Sequence, residues 1–215
     1  MANPSQNRLH GGGPEEPVDR PKDRYHHGDL RETLIAATTE LVRTRGAENF
    51  SLADACRLAG VSTAAPYKHF RDKQEILELV CQRGFDQMRT AAVAASTEGG
   101  EGTLAGIQLI GKAYVNFARS EPNLFRLMFG QNQALKHADI VDQAGTGCFS
   151  YVVSQVALYC ERERVASDPR TIAVRLWTFV HGAACLLIEE GYQKVVPDLD
   201  IDALILSSSP QLLSE

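Results

Sequence analysis

The sequence lacks most of the features that mark a secreted or membrane protein. Its five cysteines are an odd number without Cys-x-x-Cys spacing, which argues against a disulfide framework and a zinc site. No stretch approaches the roughly 18 consecutive apolar residues that a membrane span requires. No basic segment followed by an apolar core stands at the N-terminus, so no signal peptide is predicted. These absences predict a cytoplasmic protein without a membrane partner.

The signatures of catalysis are also missing. We find no nucleophile paired with a base, no cluster of metal ligands and no glycine-rich phosphate loop. The chain is therefore not expected to be an enzyme, and neither a metal nor another cofactor is predicted.

A basic surplus, which is common in nucleic-acid-binding proteins, is absent as well. The formal net charge is −5. Residues 20–75 carry ten Lys/Arg against eight Asp/Glu, and residues 76–215 carry eleven against sixteen. A mildly basic N-terminal part on an acidic remainder is compatible with a DNA-binding head, because the body is then repelled from phosphate. Charge alone does not establish DNA binding, so that inference depends on a motif.

What the sequence does contain is helical periodicity throughout, with no strand pattern of any strength, and it predicts an all-α chain. Residues 1–24 are the exception, with four prolines, the run Gly11–Gly13 and few apolar residues. This composition predicts a disordered tail. Its Arg20, Lys22 and Arg24 are interpreted as a solvated segment or, alternatively, as an arm that reaches a minor groove.

The stretch from Ser51 to Lys73 reads as two short helices joined by a tight turn. Leu52, Ala55, Cys56 and Ala59 form one apolar helical face, with Ser51 as the predicted N-cap. Gly60 can adopt the positive φ at which many helices end.

The second of these helices is expected to start at Ser62 or Thr63. Pro66 is tolerated only near the first turn of a helix, where the backbone amides have no intrahelical partner. Two short helices crossing through a glycine-containing turn are the layout of a helix-turn-helix.

Further helices are predicted along the rest of the chain. The first runs from Gly28 or Asp29 to Gly46, and a long helix begins after Asp72 and ends near Ser96. The remaining ones are expected over 103–121, 124–129, 136–164 with a possible break at 145–147, from Pro169 to Glu190, and from Asp200 onward.

The motifs resemble those of the TetR/AcrR family of transcriptional regulators. The resemblance rests on Ala59-Gly60-Val61-Ser62, Tyr67-Lys68-His69-Phe70, Lys73, Ile76-Leu77 and the upstream segment Tyr25–Arg31. The segment Trp177-Thr178-Phe179-Val180-His181-Gly182 is similar to the Trp-His-Gly type of C-terminal domain in one branch of that family. Together, these resemblances to the family imply a three-helix helix-turn-helix domain over 25–75 and a helical-bundle dimerisation and effector domain over 76–215.

The resemblance implies DNA contacts in the first of these domains. The candidate DNA-binding residues are Ser51, Ser62, Thr63, Tyr67, Lys68, His69 and Lys73. A tyrosine hydroxyl and a lysine ammonium suit phosphate, while Lys68 has the length to reach a guanine edge. For Tyr67 the alternative is a core aromatic side chain, for His69 a packed histidine that orients its neighbours, and for Ser51 a helix cap alone.

The C-terminal domain has the residues of an apolar pocket between bundle helices. The candidate effector-pocket residues are Phe85, Met88, Phe117, Phe129, Tyr151, Trp177 and His181. For each of them the alternative is an ordinary core position.

The hypothesis is therefore a sequence-specific DNA-binding regulator of transcription. It would be a ligand-responsive repressor that acts as a homodimer on a palindromic operator, with double-stranded DNA and an unidentified small-molecule effector as partners. The alternative is a helical ligand-binding or protein-interaction module whose DNA-binding head is vestigial.

Overall fold

The computed structural model describes residues 27–130, 132, 135 and 137–214, with side chains from residue 30 onward. The predicted disordered tail at 1–24, with the proposed arm, lies outside the described residues. Within them the fold is entirely helical and contains no strand, which confirms the predicted all-α class. The α-helices are α1 His27–Arg45, α2 Leu52–Ala59, α3 Lys73–Gly99, α4 Leu104–Ser120, α5 Pro122–Phe129, α6 Asp139–Glu163, α7 Pro169–Ile188, α8 Gly191–Val195 and α9 Ile201–Leu213.

Helix α1 buries a stripe of large aliphatic side chains under the head. Leu34, Ile35 and Val42 are fully buried and lie on one side of the helix. The helix ends where it was expected to end, because Gly46 adopts a left-handed φ of 79° and its N–H donates to the carbonyl of Val42 at 2.8 Å.

The second helix of the helix-turn-helix differs from the prediction. Instead of an α-helix from Ser62 or Thr63, the chain forms turns followed by a short 3₁₀-helix, Pro66–Lys68. The reason is Pro66, which has no N–H to donate to the carbonyl of Ser62. The Ala65 N–H donates to that carbonyl instead, at 3.0 Å. The result is the tighter i→i+3 bonding of a 3₁₀-helix.

Helix α3 joins the head to the rest of the molecule without a break. Asp72 is its N-cap, as predicted, and its side chain accepts from the Glu75 N–H at 3.0 Å. The domain boundary expected at residue 75 falls in the first turn of this helix. Head and body therefore share one rigid element and one continuous hydrophobic core, which extends from Leu34 to Ile205.

Two details of the body depart from the expected helix ends. Helix α6 runs unbroken through the glycines at 145 and 147, because the bonds of its helical ladder continue past them. Helix α7 ends at Ile188 and not at Glu190, since Glu190 takes a left-handed φ of 57° and Gly191 begins the next helix.

Helix α7 packs against α4, α6 and α9 in the body. Among the described helices it alone is long and apolar enough to cross a membrane by length and composition. It is packed within the bundle, where Ile172, Ala173 and Ala184 are buried. Only 33% of its 18-residue apolar stretch is buried, however. Apolar side chains therefore remain on the outer face of the bundle.

Candidate nucleic-acid interface and ligand cavity

The first helix of the motif, α2, is held at both ends by local hydrogen bonds. Ser51 donates its N–H to Asp54 Oδ2 at 2.8 Å, and Asp54 returns its own N–H to Ser51 Oγ at 3.3 Å. The Ser51 hydroxyl also donates to Asp54 Oδ2, at 2.6 Å, and this bond together with that from the Ser51 N–H holds the pKa of the Asp54 carboxyl below its ordinary value. At the other end Gly60 has φ 69°, and the next N–H, that of Val61, bonds to the Cys56 carbonyl at 3.0 Å.

The segment after this turn presents its polar side chains outward. Two buried apolar residues, Pro66 and Phe70, anchor it to the core. Tyr67 is 68% exposed, so the alternative of a core aromatic side chain does not hold. Lys68 is likewise exposed. An exposed aromatic hydroxyl beside an exposed ammonium, on a segment anchored from below, is well suited to contact a phosphate backbone.

The remaining candidates divide into two groups. Ser51, Ser62 and Thr63 are exposed. His69 is partly buried, and its ring lies 6.5 Å from that of Phe70, at 58° to it.

Lys73 has a structural role that its sequence position did not reveal. Its ammonium donates to the carbonyls of Ala47 and Phe50, each at 2.6 Å, and lies 3.9 Å from the centre of the Phe50 ring. Burial lowers the pKa of this ammonium. Lys73 thus ties the loop between α1 and α2 to the start of α3. One of its three N–H donors remains for the predicted phosphate contact, which stays a prediction.

Three arginines that sequence reasoning did not single out add positive charge to the head. The Arg31 guanidinium lies 5.3 Å above the Phe70 ring, next to the 3₁₀ segment. Arg57 and Arg71 are 77% and 80% exposed and form ion pairs with Asp54 and Glu75. Exposed pairs of this kind are worth about 1 kcal/mol or less, so a phosphate can replace the carboxylate. Arg31 could not have been found from local spacing, because 39 positions separate it from Phe70.

The body contains a cavity of about 500 Å³. Six helices, α3, α4, α5, α6, α7 and α9, supply its wall, which is mainly apolar. Four of the seven predicted pocket residues lie on this wall: Phe85, Met88, Phe129 and Trp177. Its volume lies within the range of small-molecule sites in proteins.

The other three predicted pocket residues lie elsewhere. Phe117 is buried in the core and contributes to a different surface depression beside α4. Tyr151 bonds through its hydroxyl to Ser96 on α3. His181 stands behind the wall, where its ring stacks on Phe125 with 5.6 Å between ring centres.

His181 belongs to a chain of polar groups within an aromatic cluster. The Trp177 indole N–H donates to the Tyr114 hydroxyl at 3.4 Å, and this hydroxyl lies 2.8 Å from His181 Nδ1. On the other side, His181 Nε2 lies 3.5 Å from the Cys185 sulfur. Because an indole N–H can only donate, the consistent assignment has Tyr114 donating to Nδ1 and a neutral ring protonated at Nε2. Burial lowers the pKa of His181 and favours this neutral form.

The cavity wall carries little charge. Burial raises the pKa of the Cys148 thiol to about 11 and also raises that of the Tyr114 hydroxyl, so both remain neutral. Among the described residues that line the cavity, only Asp142 and Arg170 are charged. No group of three or more potential metal ligands occurs in the described part of the chain.

Comparison with known proteins places the two regions just described in one family. Residues 34–80 match the model of bacterial regulatory proteins of the TetR family, and residues 107–205 match that of the tetracyclin repressor-like C-terminal domain. The chain belongs to the TetR family of transcriptional regulators. The first match includes every candidate DNA-binding residue, and the second includes the Trp177–Gly182 segment. This TetR-family protein is a DNA-binding transcriptional regulator.

Three individual proteins illustrate what this chain is similar to. The nucleoid occlusion factor SlmA of Mannheimia succiniciproducens is 25% identical over 173 residues, which cover 77% of this chain and 79% of SlmA. A protein of unknown function from Rhodococcus sp. RHA1 is 29% identical, with a TM-score of 0.76 over 89% of this chain and 97% of its own. A TetR/AcrR-family regulator from Thermobifida fusca YX-ER1 shares the fold at 19% identity, with a TM-score of 0.60 over 86% of this chain and 97% of its own.

Proposed function

We propose that this regulator is a ligand-responsive repressor that binds a palindromic operator as a homodimer in the cytoplasm. The observation that carries the proposal is the outward-facing set Ser62, Thr63, Tyr67 and Lys68 on a segment anchored by buried residues. In a helix-turn-helix protein this segment lies in the major groove. These exposed side chains favour a working head over the vestigial one of the alternative hypothesis.

Homodimer formation is supported by the outer face of α7. Val174, Trp177 and Leu186 are 44%, 40% and 48% exposed, although they are large and apolar. Gly182 lies on the same exposed side, and a Cβ there would meet nothing within 4 Å. Nothing within the described chain thus explains a glycine at this position, which costs about 1 kcal/mol of helix stability relative to alanine. A close crossing by the same helix of a second copy would explain it.

A dimer explains how one small head reaches operator specificity. A single head reads only a half-site, and two heads related by a twofold axis read a palindrome with half-site centres about 34 Å apart, or a multiple of it. Repression follows when the bound dimer occupies DNA that the transcription machinery needs.

The route from cavity to head is supported by the short helix α5. Its last residue, Phe129, lies on the cavity wall, while at its first turn Asn123 donates to the Arg43 carbonyl of α1 at 2.9 Å. Just before the helix, Glu121 accepts from Arg43 Nε at 2.8 Å. Helix α3 offers a second route, because it places Phe85 on the wall and continues into the head.

A ligand that prefers the arrangement of α3 and α5 found in the released state would lower the affinity for DNA. It can shift the equilibrium only by its difference in affinity between the two states.

DNA binding is tested by fluorescence anisotropy on the upstream region of the protein's own gene, and on a pool of random sequences, across a salt series. We expect tight binding that weakens steeply with salt, because phosphate contacts release counterions. Tyr67→Ala and Lys68→Ala should weaken it, and Lys68→Ala should also reduce the salt slope by about one. The matched control is Lys194→Ala, an exposed lysine on α8 in the body. Equal, weak binding by all four proteins on both DNAs would favour the vestigial head.

The dimer is tested by sedimentation equilibrium of Gly182→Leu. A leucine at the proposed crossing should shift the protein toward monomer, and operator affinity should fall with it. Gln87→Leu adds the same side chain to an exposed position of α3 and serves as the control. A Gly182→Leu protein that remains dimeric would locate the interface elsewhere.

A further inference from the structure

The two charges on the cavity wall stand at opposite ends of it. Helices α6 and α7 pack side by side and are joined by residues 164–168, so they run antiparallel. Arg170, in the first turn of α7, therefore lies near the end of the cavity lined by Val153, the last α6 residue on the wall. Asp142, in the first turn of α6, lies at the other end. Along α7 the wall extends from Arg170 to Val180, ten residues or about 15 Å, so the cavity is elongated.

The two charges are not equivalent. Each lies at a helix N-terminus, where the unpaired amides create positive potential. At Asp142 that potential offsets the carboxylate, and α6 has no side-chain cap that would compete for its amides. At Arg170 that potential is already offset by the capping Asp168 carboxylate, so the guanidinium itself is the cation at this end. The Asp168 carboxylate nearby already accepts from the N–H groups of Arg170 and Thr171, at 3.3 and 3.0 Å, and Arg170 forms no ion pair among the described residues.

Between the two ends the wall is apolar. Ile107, Ile110 and Leu176 are at most 7% exposed and line its length, and aromatic side chains surround the end nearer Asp142. Burying each additional methylene of a ligand along such a wall improves affinity about fourfold. An elongated molecule with a single charged end fits this pattern better than a compact polar one.

We propose that the cavity binds an amphipathic monocarboxylate, with the carboxylate at Arg170 and the apolar chain directed toward Phe85 and Phe129. The proposal rests on the proposed function in so far as the cavity is the effector site. The proposal implies that each end of the cavity selects among the groups a ligand can carry. Arg170 selects an anion over a neutral or cationic headgroup, and Asp142 disfavours a second carboxylate at the far end of the chain.

Trp177, the single tryptophan of the chain, lies on the cavity wall and reports occupancy through its fluorescence. The purified protein is titrated, without DNA and below micellar concentrations, with decanoate, decan-1-ol, decylammonium and the dicarboxylate sebacate. We expect decanoate to bind most tightly of the four. Arg170→Gln should weaken decanoate about fivefold and leave decan-1-ol unchanged. Asp142→Asn should raise sebacate affinity toward that of decanoate.

Three outcomes would overturn the proposal: decan-1-ol binding as tightly as decanoate, preferred binding of decylammonium, and an Arg170→Gln protein with unaltered decanoate affinity. Both substitutions are at exposed positions, and thermal unfolding of each variant establishes that it is folded. The DNA experiment separates this test from the proposed function. Decanoate binding without any change in operator affinity would refute the effector role and leave the ligand class standing. Salt-dependent operator binding without decanoate binding would refute the ligand class alone.

Discussion

The head and the body of this regulator achieve function in opposite ways. In the head, the candidate DNA contacts lie within 23 consecutive residues, Ser51 to Lys73, and most of them are exposed. In the body, the cavity wall is assembled from six helices between Phe85 and Ser209, and much of it is buried. Substitutions on the head's surface should therefore change binding without changing stability, whereas those in the body should change both.

The largest expected effect is on the free energy of unfolding when a glycine with a left-handed φ is replaced by alanine, at Gly60 in the head or at Gly102 in the body. Gly60 has φ 69° with open space around it, while a Cβ on Gly102, at φ 61°, would lie 2.4 Å from the Leu158 Cβ. Gly60→Ala should lower the free energy of unfolding by about 1 kcal/mol, the backbone cost alone. Gly102→Ala adds overpacking and should cost about 3 kcal/mol. Urea denaturation measures both. Equal losses would mean that the body is no more tightly packed than the head at these sites.

The next effect compares two lysines of the head, one with a structural role and one exposed for DNA contact. Lys73→Met removes an ammonium bonded to two backbone carbonyls, and should cost about 2 kcal/mol in the free energy of unfolding. Lys68→Met, at an exposed position without such bonds, should stay within about 0.5 kcal/mol of the wild type while weakening DNA binding. Thermal unfolding and anisotropy are measured on both variants. A Lys73→Met protein with unchanged stability would contradict the structural role.

A third prediction concerns the connection between the two parts. Glu121→Gln weakens the ion pair with Arg43 of the head, and should reduce the coupling between ligand and DNA by about 1 kcal/mol, with ligand affinity in the absence of DNA unchanged. Glu189→Gln is the matched control, because it weakens the pair with Arg126 on the same helix α5 but on its body side. Coupling is the ratio of ligand affinities with and without operator. Equal loss in both variants would mean that α5 responds as a whole and not through Arg43.

The smallest effect is the pH dependence from His181. Burial lowers its pKa from the ordinary value of 6.5, so the unfolded chain binds the proton more readily than the folded one. The free energy of unfolding is therefore unaffected well above pH 6.5, and it decreases as the pH falls through 6.5 toward the lowered pKa. His181→Gln should flatten this slope between pH 8 and pH 5 in urea titrations. His137→Gln, at an exposed position, should retain it.

The same contrast explains which features were predictable. The cap at Ser51, the end at Gly60 and the cap at Asp72 were correct, because each depends on side chains within three or four residues of the backbone that they bond. The second helix of the motif was predicted too long. The missing N–H of Pro66 favours a 3₁₀ turn over a full α-helical ladder.

Nonlocal contacts decided the rest. Lys73 was predicted from the motif as a phosphate contact, and its bonds to Ala47 and Phe50 join positions 26 and 23 residues away. Phe117 and Tyr151 have the same apolar spacing as the wall residues, and nothing in a helical period distinguishes a cavity-facing side chain from a core one.

The sequence by itself determined the helical class and the first helix and turn of the helix-turn-helix, because capping and apolar periodicity act over one or two helical turns. Only the tertiary structure decided the shape of the cavity, the opposite placement of Arg170 and Asp142, and the bonds through which α5 meets the head. Those features depend on how helices far apart in the sequence cross, and crossing geometry is set by the packing of whole helix faces.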